Sequence, residues 1–225
     1  MTSLGLVRNA QGYSRLNPMN HGGDAMQRIL PGEVAWYVTG RFYAAAGGGP
    51  LLDAGYFLHL QGIDDGALFS GAPGEGTAHL TFLADPFTAT QVVNGDLTLG
   101  MDAVGDFAVY LNREPGATFD DPASFGAGEE VARFRRVAVV TGATVGTGAK
   151  DLPLFSLNVF SARLVSCREF ELGGRRYDLG RLMPNGITQW GTAATTAIGG
   201  ELPGYAAVVP FVGSAIAIGG EGRPG

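Results

Sequence analysis

The chain has 225 residues, of which 45% are hydrophobic and 16% charged, with a net charge of −6. That is enough apolar material for a sizeable core and too little charge for a chain that stays unfolded. The acidic balance and the lack of a basic stripe exclude nucleic acid as an expected partner.

Residues 1–31 read as a polar, Asn/Gly-rich arm. Asp24 is placed to cap one short helix through Ile29, which Pro31 ends. The arm has no basic region followed by an apolar run, so it is not read as a secretory signal. Residues 32–225 read as one β domain. Val34–Tyr43 (VAWYVTGRFY) is a strand by its β-branched and aromatic content. Alternation puts Val34, Trp36, Val38 and Phe42 on an apolar face, and Ala35, Tyr37, Thr39, Arg41 and Tyr43 on an amphipathic one. The loop AAAGGGP (44–50) leads to a second strand, Tyr56–Ile63. There Tyr56, Leu58 and Leu60 oppose Phe57, His59 and Gln61. Ala78–Leu83 follows, with Leu80 and Phe82 opposing His79 and Thr81. The polar stripe Tyr37, Thr39, Arg41, Tyr43, His59, Gln61, His79 and Thr81 is expected to face solvent or an oligomer contact or, if turned inward, to form a polar pocket.

Gln91–Val93 and Leu97–Gly100 flank the tight-turn signal Asn94-Gly95-Asp96. Phe107–Asn112 is a strand, Glu114–Gly128 a loop, and Val131–Thr141 a long strand. Leu154–Leu172 carries one or two strands, and Gly173-Gly174 turns into Arg175–Leu179. Asn185-Gly186 is a further turn signal, and Ala206–Ile218 ends the chain as one or two apolar strands. No stretch holds a sustained helical stripe. The expectation is an all-β fold: a single antiparallel β-barrel of roughly eight to eleven strands with an extended N-terminal arm. A two-sheet β-sandwich is the alternative.

Residues 136–148, RVAVVTGATVGTG, resemble the TGxxxGxG loop with which short-chain dehydrogenases hold a dinucleotide. The surroundings overrule that likeness. Pro153 follows where a helix must open to meet the phosphate, and the remaining text reads as strands. The Tyr-x-x-x-Lys pair of that family is missing, because the single lysine is Lys150 and position 146 is Gly. Gly142, Gly146 and Gly148 then serve a turn, and no cofactor is expected.

The other constellations are sparse. Cys167 is the single cysteine, which rules out a disulfide within the chain and suits a reducing, cytoplasmic setting. Its neighbour Arg168 is placed to lower its pKa, but a packed or inert thiol is the expectation. His21, His59 and His79 have no metal-ligand spacing, and no metal is expected. The uncharged run 202–220 is too broken by Pro203, Pro210 and glycines for a membrane helix. Arg133, Arg135 and Arg136 read as a solvated strand face. The near-absence of lysine points to a GC-rich, bacterial coding genome.

The aromatic set carries the functional expectation. Trp36, Phe42, Tyr56, Leu58, Phe82, Phe107, Tyr110 and Phe160 come from different strands and, in a barrel, either fill the core or line a cavity for a small apolar organic molecule. Such a cavity suits binding, or a non-hydrolytic cyclisation or isomerisation, for which His59, His79, Arg41 and Tyr56 are the catalytic candidates. The competing expectation is an assembly subunit that makes homo-oligomer contacts through its sheet surfaces and N-terminal arm.

Overall fold

The computed structural model describes residues 27–88, 90–94, 97–101, 105–145, 154–194, 197–198 and 202–219. In chain order the elements are β1 (Val34–Ala45), β2 (Leu51–Leu60), β3 (Leu80–Ala84), β4 (Thr90–Asn94), β5 (Leu97–Met101) and β6 (Asp106–Leu111). They continue with β7 (Glu129–Val145), β8 (Leu154–Cys167), β9 (Phe170–Leu172), β10 (Arg175–Tyr177), α1 (Leu179–Leu182), β11 (Ile187–Ala193) and β12 (Tyr205–Ala217).

Eight strands close a ring. β1, β2, β3, β6, β7, β8, β11 and β12 each pair antiparallel with the next, and β12 returns to β1. The all-β antiparallel barrel expected from the sequence is therefore present, and a closed ring leaves no room for the sandwich. Closure satisfies the edge strands that an open sheet would expose. The β4–β5 hairpin branches off between β3 and β6. It joins the far end of β7, with Gly100 opposite Thr141 and Met101 opposite Val140.

Several expectations need correction. β2 begins at Leu51, five residues before the expected Tyr56, and ends at Leu60. Its faces are also rephased. Tyr37 pairs with His59, but Val38 pairs with Phe57, so Leu58 is an extra residue in a bulge. Phe57 and Leu60 both enter the core, while Leu58 stays exposed. Residues 27–29, the described part of the expected N-terminal helix, are not helical. Instead the Ile29 N–H donates to the Leu182 carbonyl at 2.9 Å, and Ile29 is buried at one barrel end. Gly142, expected in a turn, lies within β7 opposite Leu157, while Gly146 and Gly148 fall outside the described residues.

That same barrel end is closed by the segment between β8 and β11. Asp178 caps α1, its Oδ1 accepting from the Gly180 N–H at 2.8 Å. Leu179, Leu182, Phe170, Leu172 and Tyr177 are all buried there. On the outer wall, the loop after β6 folds back over β1–β3. Its Phe119 and Phe125 cover Tyr43 and Ala54. The Tyr43 hydroxyl donates to the Phe119 carbonyl at 3.0 Å, and Thr81 donates to the Phe125 carbonyl at 2.6 Å. Tyr43 and Thr81 were expected on a solvent-facing stripe and are instead fully buried. Burial pushes the Tyr43 hydroxyl well above the usual tyrosine range.

The β1–β2 contact is tight where two glycines face each other. A Cβ on Gly55 would meet the Thr39 carbonyl oxygen, come within 2.6 Å of Gly40 Cα, and reach the Phe82 ring at 2.7 Å. Replacing Gly55 by Ala should therefore cost about 1–3 kcal/mol in urea unfolding. Gly76→Ala, which meets nothing nearer than 3.8 Å, should leave the midpoint nearly unchanged.

Candidate functional site

The barrel axis is occupied by rings. Phe42 lies against Phe211 (centroids 4.5 Å apart), Phe211 against Phe82 (6.2 Å), Phe82 against Phe57 (5.9 Å) and Phe57 against Trp36 (5.4 Å). Trp36 meets Phe134 at 5.6 Å, Phe134 stacks on Phe107 at 5.1 Å, and Phe107 meets Phe160 at 6.1 Å. An eight-stranded barrel is just wide enough for its side chains to fill, and these do. The free volume at the centre is about 10 Å³, room for a single water molecule.

Of the eight expected ligand-lining residues, Trp36, Phe42, Phe82, Phe107 and Phe160 do converge inside. They pack against one another, and among the described residues no hollow of the expected size separates them. Tyr56, Leu58 and Tyr110 point to the outer wall. Tyr56 lies between Phe69 and Phe119, Leu58 is the bulged residue of β2, and Tyr110 lies against Gly126. Strand phase explains all three. Phe107, Val109 and Leu111 take the inner face of β6, leaving Tyr110 outside.

The interior also holds an ion pair that the sequence analysis did not single out. Arg136 Nη2 donates to both Asp53 oxygens, at 3.0 and 2.9 Å, with side-chain exposures of 3% and 7%. The guanidinium carbon stands 4.7 Å from the Phe87 ring centre, 5.1 Å from Phe160 and 5.7 Å from Phe107. Its Nη1 is buried without a hydrogen-bond partner. Gln189 accepts from the Trp36 indole N–H at 3.0 Å and completes the polar set. The arginine run thus divides. Arg133 pairs with Glu130 and Asp85, and Arg135 with Asp106, on the outer wall as expected. Arg136 turns inward. The signal was its spacing of two from Phe134, which puts both on one strand face.

The catalytic candidates are engaged separately. His59 Nδ1 lies 2.7 Å from Asp65 Oδ1, and His79 Nδ1 lies 2.8 Å from the Asn112 carbonyl oxygen. Arg41 stacks over Phe119 at 4.2 Å. Burial raises the pKa of the Tyr56 hydroxyl. No group of three acidic, histidine or cysteine side chains fit for a metal occurs among the described residues. Among these residues no helix is long and apolar enough to cross a membrane.

A second feature lies on the outer wall. Two cross-strand rows run across β1, β12, β11 and β8: Tyr37, Ser214, Trp190, Val159, and Thr39, Val212, Thr192, Leu157. Neither row holds a charged residue. Val212 is 57% exposed, Tyr37 46%, Leu157 44%, and Trp190, Val159 and Leu58 are 40% each. Between Tyr37, Leu58, Trp190 and Val212 runs an open groove of about 330 Å³, with Thr192 and Ser214 as its polar groups. Comparison with protein-family models, with curated proteins and with solved structures found no match for this chain.

Two outcomes follow. Arg136→Met leaves Asp53 buried and unpaired, and should cost about 3–5 kcal/mol in denaturant unfolding, whereas the double change D53L/R136M should recover most of it. The Cys167 thiol is shifted away from activation by Arg168, the direction that the expected inert thiol requires. Partial burial, and then the Asp178 carboxylate 3.5 Å away, raise its pKa. Iodoacetamide should therefore alkylate it more slowly than free cysteine at pH 8, and Asp178→Asn should speed the reaction.

Proposed function

We propose that the protein works as an assembly module, through the aromatic wall whose two central rows, on β8, β11, β12 and β1, hold no charged residue, with a second copy of the chain as its partner. The observation that supports this is the exposure of Trp190, Tyr37 and Val212 side by side on adjacent strands. Large aromatic side chains grouped on one face are what protein interfaces use as anchors. Electrostatics favours a second copy. Each chain carries a net charge of −6, so its mating surface must be free of like charge when it meets itself. The two rows meet that demand, and the same patch can serve both sides of a twofold interface. The expected cytoplasmic setting belongs to this proposal.

A second reading keeps the small apolar ligand and moves it to the groove. The volume of about 330 Å³ supports it, since small-molecule sites start near 300 Å³. The openness of the groove favours the partner chain, because a ligand there would keep much of its surface in water. A non-hydrolytic cyclisation or isomerisation would belong to this second reading.

Sedimentation separates the readings. The assembly proposal expects dimers or larger species at roughly 100 µM. Val212→Lys and Trp190→Lys should shift the chain to monomer while it keeps its β-sheet circular dichroism. A chain that stays monomeric at that concentration would overturn the proposal and leave the groove to a small ligand.

A further inference from the structure

Among the described residues, every strand of the ten-stranded sheet has at least two neighbours except β4, which pairs with β5 alone. Barrel closure satisfies the other edges and leaves this short one over. Alternate residues of β4 use their N–H and C=O on β5, and the residues between them turn theirs the opposite way. The far side of β4 therefore presents a row of backbone donors and acceptors with no partner among the described residues.

Such edges are normally blunted by charge, by proline or by a covering contact. The small β9–β10 sheet has this protection. Its strands are three residues long, Glu171, Arg175 and Arg176 stand exposed on them, and Arg113 donates to the Glu171 carbonyl at 3.4 Å. β4 has five residues and reads Thr-Gln-Val-Val-Asn, with no charge and no proline.

We propose that the free edge of β4 is a second self-association surface, which pairs antiparallel with β4 of another copy about a twofold axis. A twofold axis at the edge of a sheet, perpendicular to it, generates an antiparallel pair of identical strands, so the edge is complementary to itself. The missing charge permits the approach, since each chain carries a net charge of −6. Val92, the middle residue of β4, then lies at the axis opposite its own twin, and Gln91 lies opposite the partner's Val93. This contact is separate from the aromatic wall. β4 reaches the barrel through β5 and β7, whereas the central rows of the wall lie on β8, β11, β12 and β1. Two different twofold contacts on one chain link copies into an open row rather than a closed dimer. The row rests on the wall reading given above; the edge contact does not.

A five-residue edge buries little area, so the contact calls for protein on the order of 1 mM. Small-angle X-ray scattering of the full chain at about that concentration tests it. The unchanged chain should exceed a dimer, and Val92→Lys should stop at the dimer while keeping its β-sheet circular dichroism. Trp190→Lys should form dimers through the edge. Cysteine gives a second readout. In a Cys167→Ser background, Val92→Cys should form an intermolecular disulfide on oxidation with copper phenanthroline, with or without Trp190→Lys. Gly76→Cys, at an exposed position away from β4, should not. A folded Val92→Lys chain that assembles as far as the unchanged one would overturn the edge contact. So would a Val92→Cys cross-link no more abundant than that of Gly76→Cys. If Trp190→Lys matches the unchanged chain while Val92→Lys is smaller, the wall reading falls and the edge contact stands.

Discussion

The meeting of side chains at the barrel axis is the constraint on which the rest depends. Seven of the eight ring strands send an aromatic residue inward: Trp36 and Phe42 from β1, then Phe57, Phe82, Phe107, Phe134, Phe160 and Phe211 from the others. The eighth, β11, sends Gln189, which holds the Trp36 indole. Each ring pair adds about 0.5–1.5 kcal/mol beyond the burial of its area. The chain of contacts runs without a break from Phe42 to Phe160, so no one ring can move without disturbing its neighbours. Among the described side chains such a barrel is closely packed. There the Asp53–Arg136 pair and Gln189 are the polar groups that interrupt the rings.

A filled interior moves the question of function outward, and the outer walls differ. The β6–β7 side carries Arg133 with Glu130 and Asp85, and Arg135 with Asp106. Arg135 holds the Asp106 carboxyl below its usual range, so that pair contributes at neutral pH and loses its contribution on acidification. Both members are partly in water, which keeps the contribution small. The loop after β6 covers β1–β3 through Phe119 and Phe125. What remains is the wall from β8 to β1, whose two central rows carry neither an ion pair nor a covering loop among the described residues; it ends at β2, where His59 stands beside Asp65. An uncovered apolar wall beside charged and covered ones is a division of labour that packing alone does not require.

Much of the architecture was legible in the sequence. Alternation in Val34–Tyr43 assigned Trp36, Val38 and Phe42 to the core, and the Gly173-Gly174 hairpin lies where it was read. What failed had local causes. A single bulge opposite Tyr37 rephased β2, so Leu58 and Phe57 exchanged faces, and no pattern in LLDAGYFLHL announces a bulge. Tyr43 and Thr81 read as solvent-facing because a strand cannot reveal that a loop 76 or 44 residues further along will cover it. Arg136 read as surface because charge outweighed spacing; its place two residues after Phe134 was the better guide. The dehydrogenase-like loop was excluded by its neighbours, Pro153 and the single lysine. Its Gly142 then fell within β7 rather than in a turn.

The two tryptophans report on the two halves of this account, one buried at the axis and one on the open wall. Acrylamide quenching of their fluorescence, followed as the protein concentration is raised, tests it most directly. The account predicts one population that acrylamide never reaches, Trp36, and one that is quenched in dilute solution and becomes protected on concentration, Trp190. Free quenching of Trp36, established in a Trp190→Phe variant, would contradict the filled barrel. Quenching of Trp190 that stays unchanged at every concentration would contradict the wall as the working surface.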